Sequence, residues 1–191
     1  MSHRAESSFP EHVRDRRLDT RFYSHGQVVH MINNPDAPGQ KMKEIWVPKP
    51  GLLGRGGQGQ VFLQECTSGP RRGAQRAVKK IPFDGEGAKR RFIEELKTQI
   101  KFSRERYSQY FVRTLGWYEK KEYVYIAMEY LPAGDLKAYL NDNTLSEDEC
   151  RQIIFQVLKG LEEMHNERYA HRDVKPQVRQ FPSFANRIAI P

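Results

Sequence analysis

The sequence is poor in cysteine, in uninterrupted apolar runs and, near its end, in negative charge. Its two cysteines, Cys66 and Cys150, stand far apart with no close Cys or His companion, so neither a disulfide framework nor a zinc cluster is signalled. The longest apolar stretch, Tyr123 to Met128, is far short of the roughly twenty residues that cross a bilayer. No apolar run follows Met1, so no secretion signal is read and no membrane partner is expected. An intracellular location, cytoplasmic or nuclear, is the expectation. No internal repeat is visible, and residues 177–191 contain no Asp or Glu.

What is present is a chain of 191 residues with 38% hydrophobic content, enough for a real core in one domain or two small lobes. The net charge of +8 is unevenly spread, with twelve Lys and Arg against five Asp and Glu between Pro70 and Arg106. A polyanion-binding patch is one reading of that stretch. A solvated helix face is the other, and it is favoured because no aromatic interleaving accompanies the charge, so a nucleic-acid partner is not expected.

Residues 1–40 are polar, mixed in charge and broken by Pro35 and Pro38, and read as a disordered N-terminal extension. The acids Glu6, Glu11, Asp15 and Asp19 exclude a mitochondrial presequence. Five β-prone runs follow at 45–47, 60–66, 76–81, 111–118 and 123–130, and predict five short strands. Between the third and fourth, Phe92, Leu96 and Ile100 recur at helical spacing within 88–106. A short helix is predicted over 135–141. Ser146 with Glu149 three residues on forms a capping box opening a longer helix, whose Ile153, Ile154, Val157, Leu158, Leu161 and Met164 make a face for burial.

Three motifs carry chemistry. Leu53 to Val61 reads G-x-G-x-x-G-x-V through Gly54, Gly56 and Gly59, a loop whose backbone can approach phosphates without Cβ clashes. A plain Gly-rich hairpin is the alternative, and a dinucleotide-binding loop would open a helix instead of a second strand. Next, Ala77-Val78-Lys79 sets a lysine in an apolar strand, where a buried ammonium requires an acid. Glu95 on the following helix is the best candidate and Glu94 the near alternative; an unpaired surface lysine and glutamate remain open on these residues alone. The third motif is His171-Arg172-Asp173-Val174-Lys175-Pro176, directly after the long helix.

Together these motifs, in this order, resemble the signature set of the eukaryotic protein kinases, over about Ile45 to Gln177, and Lys175-Pro176 resembles the serine/threonine branch. The resemblance implies an α+β fold: a small lobe of a five-stranded antiparallel sheet plus one helix over 41–130, then a hinge and the start of an incomplete helical large lobe over 131–177. Residues 178–191 would be a tail unlike a kinase. It implies ATP as cofactor, with Leu53, Val61 and Ala77 roofing adenine and Lys79, oriented by Glu95, holding phosphates. Met128 would be the gatekeeper, with the Glu129 carbonyl and Leu131 N–H reading the adenine edge and Asp135 meeting the ribose. Asp173 would orient the substrate hydroxyl, Lys175 would neutralise charge on the transferred phosphate, and Arg172 would answer a phosphorylated activation loop. A protein substrate is implied but not specified.

The family also uses magnesium, and here the sequence departs from it. The asparagine expected five residues after Asp173 is Val178, whose side chain cannot coordinate a metal, and the tail offers no D-F-G aspartate. Asn186 is read as an ordinary polar residue rather than a displaced ligand. The expectation is a chain truncated within the catalytic loop and inactive, with a kinase-like decoy or scaffold as the alternative function.

Overall fold

The computed structural model describes residues 9–56, 59–82, 85–132 and 134–175. In chain order these form α1 (Glu11–Arg14), β1 (Thr20–Phe22), β2 (Val28–Asn33), β3 (Lys41–Pro48), β4 (Gly54–Gly56), β5 (Gly59–Ser68) and β6 (Gln75–Pro82). Then follow α2 (Gly85–Phe102), β7 (Thr114–Lys120), β8 (Tyr123–Glu129), α3 (Leu136–Asp142) and α4 (Glu147–Asn166). The chain divides into two units: Met1–Ile100 with Thr114–Tyr130, and Lys101–Arg113 with Leu131–Pro191.

The first unit is one antiparallel sheet in the order β1-β2-β3-β5-β6-β8-β7, with β4 paired to β5. Because strand side chains alternate, each strand feeds two faces. Ile81, Val124, Ile126 and Trp117 point to one face, where α2 lays Phe92, Leu96 and Ile100 against them, together with Phe9 and Val13. Those three α2 residues lie four apart, on one side of the helix. Val78, Ala127 and Tyr118 point to the other face and pack with Val28, Trp46 and Cys66.

The second face also buries charge. Arg76 is fully buried, its guanidinium 4.0 Å from the Trp46 ring centre. It donates to Gln64 Oε1 through Nε (2.9 Å) and Nη2 (2.7 Å), and Nη2 also donates to His30 Nε2 at 2.8 Å. Arginine has no acceptor, so His30 Nε2 must be the bare nitrogen and Nδ1 carries the proton. That proton faces Thr20 Oγ1 at 2.8 Å, and the Thr20 hydroxyl donates to the Leu18 carbonyl at 2.8 Å. Burial, with Arg76 beside it, pushes His30 down to about 3. The buried carboxylate of Glu44 is clamped by Arg71 Nε and Nη2 at 2.7 and 2.6 Å.

Residues 9–40, expected as a disordered extension, instead supply α1, β1 and β2; with β4 in the glycine loop, these bring the sheet to eight strands among the described residues where five were expected. Residues 16–18 bond one edge of the sheet and 20–22 the other. Leu18 N–H donates to the Trp117 carbonyl and Trp117 N–H to the Arg16 carbonyl, while β1 pairs with β2. One short stretch therefore closes both edges, which would otherwise be open to unwanted pairing. Its polar side chains find partners inside the unit, as Arg17 does on Glu119, and this is why polarity there did not mean disorder.

In the second unit Phe102, Tyr107, Phe111 and Met164 form a small core, so α2 ends at Phe102 and Phe111 lies before β7 rather than in it. Glu167 gathers Lys101 (2.7 Å), Arg106 (2.8 Å) and the Tyr107 hydroxyl (2.6 Å). The hydrogen bonds from Lys101 and Tyr107 hold its carboxyl down to about 2. The capping box of α4 is present, Ser146 Oγ accepting from Glu149 N–H and the Glu149 carboxylate from Ser146 N–H. Of the apolar face expected on α4, Met164 is buried, but Ile154 and Leu158 are exposed, as is Phe155. No helix among the described residues is long and apolar enough to cross a membrane.

Candidate nucleotide site and catalytic loop

The glycine loop is a hairpin. Gly54 pairs with Val61 and Gly56 with Gly59, and Leu53 N–H donates to the Val61 carbonyl at 2.8 Å; Gly57 and Gln58 at its tip lie outside the described residues. Gly59 has a φ of 139°, and a Cβ there would stand 2.2 Å from the Lys80 carbonyl oxygen. Only glycine lets β5 approach β6 so closely at this point.

Directly opposed residues of antiparallel strands project from the same face. Val61 opposes Lys79, Leu63 opposes Ala77, Ala77 opposes Met128 and Lys79 opposes Ile126. Val61, Ala77, Lys79 and Met128 thus share the face that carries α2. The lysine Nζ meets Glu95 Oε1 at 2.5 Å, the two side chains retaining 15% and 25% of their exposure. Glu94, the other candidate, is turned outward and pairs with Lys97 at 2.7 Å. Gln99 Nε2 donates to the same Glu95 oxygen at 3.1 Å. Sequence reasoning missed Gln99, although its four-residue offset from Glu95 places it on the same side of the helix.

Glu129 is the last residue of β8 and Leu131 opens the second unit. Asp135 caps α3, its Oδ1 accepting from Ala138 N–H at 2.7 Å, which leaves Oδ2 for other partners. In the loop after α4, Asp173 N–H donates to His171 Nδ1 at 3.2 Å, and Lys175 Nζ to Asp173 Oδ2 at 2.6 Å. The hydrogen bond from Lys175 holds the Asp173 carboxyl below the usual range, and both side chains are largely exposed. Arg172 takes a left-handed φ of 63°, a conformation with a steric cost for a residue with a Cβ. Pro176, Gln177, Val178 and Asn186 lie outside the described residues.

Six of the twelve cations between Pro70 and Arg106 have partners within their own unit. Arg71 is bound to Glu44, Arg76 is inside the sheet, Lys79 and Lys97 are paired within the first unit, and Lys101 and Arg106 are paired within the second.

Residues 49–178 match the protein kinase domain family, well over half of the chain. The chain is 29% identical to a probable serine/threonine-protein kinase of Dictyostelium discoideum, over 72% of its own length and 10% of that protein's. It is 31% identical to a MAP kinase kinase of Saccharomyces cerevisiae, over 66% of its own length and 25% of the relative's. It is also 32% identical to serine/threonine-protein kinase 4 homolog A of Dictyostelium discoideum, over 64% and 25%. The chain thus spans about a tenth to a quarter of the length of these curated relatives. It belongs to the protein kinase domain family, and the matched stretch holds β4 to β8, with the glycine hairpin and the Lys79–Glu95 pair, consistent with a kinase small lobe.

Proposed function

We propose that this chain is an ATP-binding protein kinase domain of the serine/threonine type that, with the sequence it has, binds nucleotide but transfers phosphoryl groups poorly. The observation that carries the binding half is the Lys79–Glu95 pair, set on the same sheet face as Val61, Ala77 and Met128. Lys79 keeps partial exposure and a carboxylate that fixes its direction, so it can meet a phosphate without leaving a buried charge unpaired. Leu53, Val61 and Ala77 would cover the adenine, Gly54, Gly56 and Gly59 would bring backbone N–H groups to the phosphates, and the Glu129 carbonyl and Leu131 N–H would read the base. Asp135 would use Oδ2 on the ribose. ATP supplies the transferable phosphoryl group; Asp173 would orient the accepting Ser or Thr hydroxyl and Lys175 would balance charge beside it.

Magnesium is less well served. Val178 stands where the family's H-R-D-x-K-x-x-N pattern has a metal-binding asparagine, and its side chain offers no ligand. Phosphoryl transfer depends on compensating the phosphate charges, so a valine in place of that asparagine should slow transfer even with Asp173 and Lys175 in place.

Titration calorimetry with ATP tests the binding half. Lys79→Ala should weaken affinity about tenfold, or ~1.4 kcal/mol, and an unchanged affinity would overturn the phosphate role. Radiolabelled-ATP transfer to generic Ser/Thr substrates tests the other half, with Asp173→Ala as control. Incorporation that depends on Asp173 would overturn the poor-transfer reading. A non-catalytic scaffold is the second reading, favoured by the exposure of Ile154, Phe155 and Leu158 on α4, which invites association.

A further inference from the structure

The N-terminal segment does more than close the sheet. Phe9 lies 4.9 Å from Trp117 and 6.5 Å from Phe92, ring centre to ring centre, and Phe92 lies 6.0 Å from Trp117, so the three rings form one cluster on the α2 side. Val13 is wholly buried in the same core, and its carbonyl accepts from Trp117 Nε1 at 2.7 Å. Phe92 precedes Glu95 by three residues, so the two are neighbours on the α2 surface. Leu96 and Ile100 continue the buried stripe.

The strap is fastened at several points along one strand. Leu18 N–H and the Arg16 carbonyl bond the Trp117 backbone at 2.8 and 3.0 Å, and Arg17 pairs with Glu119 at 2.5 Å. Gly116 makes room for it: a Cβ at this position, where φ is 136°, would lie 2.8 Å from the Leu18 side chain and 2.9 Å from the Arg16 carbonyl oxygen. From the opposite face, the chain of bonds running Arg76, His30, Thr20 and Leu18 carbonyl ties the same segment to the interior.

We propose that residues 9–18 are a built-in clamp that sets the position of α2 through Phe9 and Val13 against Phe92, and so holds Glu95 within reach of Lys79. Phe9 and Val13 are positioning residues that act through Glu95. The inference rests on the phosphate-holding reading of Lys79 for its functional consequence, but the geometry it claims is independent of nucleotide. A rigid helix face packed on two sides has one low-energy seat, because interior packing is too dense to deform smoothly. Removing the Phe9 ring leaves Phe92 a cavity to move into and lets α2 swing its carboxylate away from Nζ.

The test uses the full chain without nucleotide. Mass spectrometry follows acylation of Lys79 by an amine-reactive ester, with Lys49, paired to Glu65, and Lys80 as internal references that lie off α2. A lysine Nζ held against a carboxylate and largely buried is shielded from the ester, so Phe9→Ala should raise the Lys79 rate at least fivefold while leaving the two references within twofold. Glu95→Gln should raise it as much, and Phe9→Ala added to Glu95→Gln should raise it no further, because both act on one ion pair. Phe9→Leu, which keeps an apolar contact, should recover at least half of the wild-type protection and serves if the alanine variant does not fold. Hydrogen exchange should speed about tenfold across 92–100 and stay unchanged in β5 and β6. An unchanged Lys79 rate, equal acceleration at all three lysines, or additive effects in the double variant would overturn the clamp. ATP titration of Phe9→Ala separates the two claims. Faster acylation of Lys79 with unaltered ATP affinity would uphold the clamp and remove the phosphate role, whereas loss of affinity with unaltered acylation would remove the clamp alone.

Discussion

The two faces of the small-lobe sheet handle charge in opposite ways. On one, Arg76 and Glu44 are sealed from water and each is held by fixed partners: Gln64, His30 and the Trp46 ring for the first, Arg71 for the second. On the other, Lys79 and Glu95 remain partly exposed at 15% and 25% and make a pair that a ligand can reach. A charge wholly desolvated inside a protein is tolerated only when every donor has an acceptor, and it then has nothing left to offer a ligand. A charge at the rim of a core keeps that capacity. By this criterion Arg76 is structural and Lys79 is the one of the two that can take the proposed phosphate role, although both stand on β6 three residues apart.

The largest effect that could break this contrast is on stability. Arg76→Met leaves Gln64 and His30 without their donor inside the sheet and should cost about 3 kcal/mol, where Lys79→Met should cost less than about 1 kcal/mol. Calorimetry should show the first variant melting roughly 10 °C lower and the second within roughly 3 °C of the parent. Equal losses would dissolve the distinction.

Gly116→Ala comes next. It forces a Cβ against the strap at a φ of 136°, and should cost about 2 kcal/mol by denaturant titration. Gly73, whose Cβ would meet nothing within 4 Å despite a φ of 86°, is the comparison. Gly73→Ala carries only the backbone cost and should lose about 1 kcal/mol.

The smallest effect sharpens the comparison through pH. His30 is held neutral in the fold, at about 3 against an ordinary 6.5, so the unfolded chain takes up the extra proton. Its contribution is fully present above pH 6.5 and is lost as pH falls from there toward 3, with a slope of at most ~1.4 kcal/mol per pH unit. Glu167, held at about 2 against 4.5, loses its contribution only below 4.5, so the interval from 4.5 to 6.5 isolates the histidines. His171, also lowered by burial, acts in the same direction. Melting temperatures between pH 7 and pH 5 should fall for the parent and fall less for His30→Gln, which keeps an acceptor for Arg76.

Much of the site was legible in the sequence because its parts are short and locally spaced. The glycine hairpin, Ala77-x-Lys79, the capping box at Ser146 and the Asp173 loop each declare themselves within a few residues, and the structure places the hairpin, the helix cap and the lysine strand where that reading put them. The choice between Glu95 and Glu94 was weaker, since one residue of helix phase separates inward from outward. The N-terminal segment was read as a tail because its signals are faint: a four-residue helix, a three-residue strand and a strand that hides a histidine.

Local sequence suffices to set a lysine in an apolar strand, a helix that can bring an acid to it and an aspartate–lysine loop after the long helix, since each depends on spacing within one element or on a contiguous motif. Tertiary contacts alone make residues 9–22 close the sheet and pack against α2. That arrangement rests on contacts such as Trp117 Nε1 to Val13, 104 residues apart, and Arg17 to Glu119, 102 apart. No local propensity encodes such pairs; they form because folding must bury the Trp117 ring and satisfy its N–H, and the strap does both.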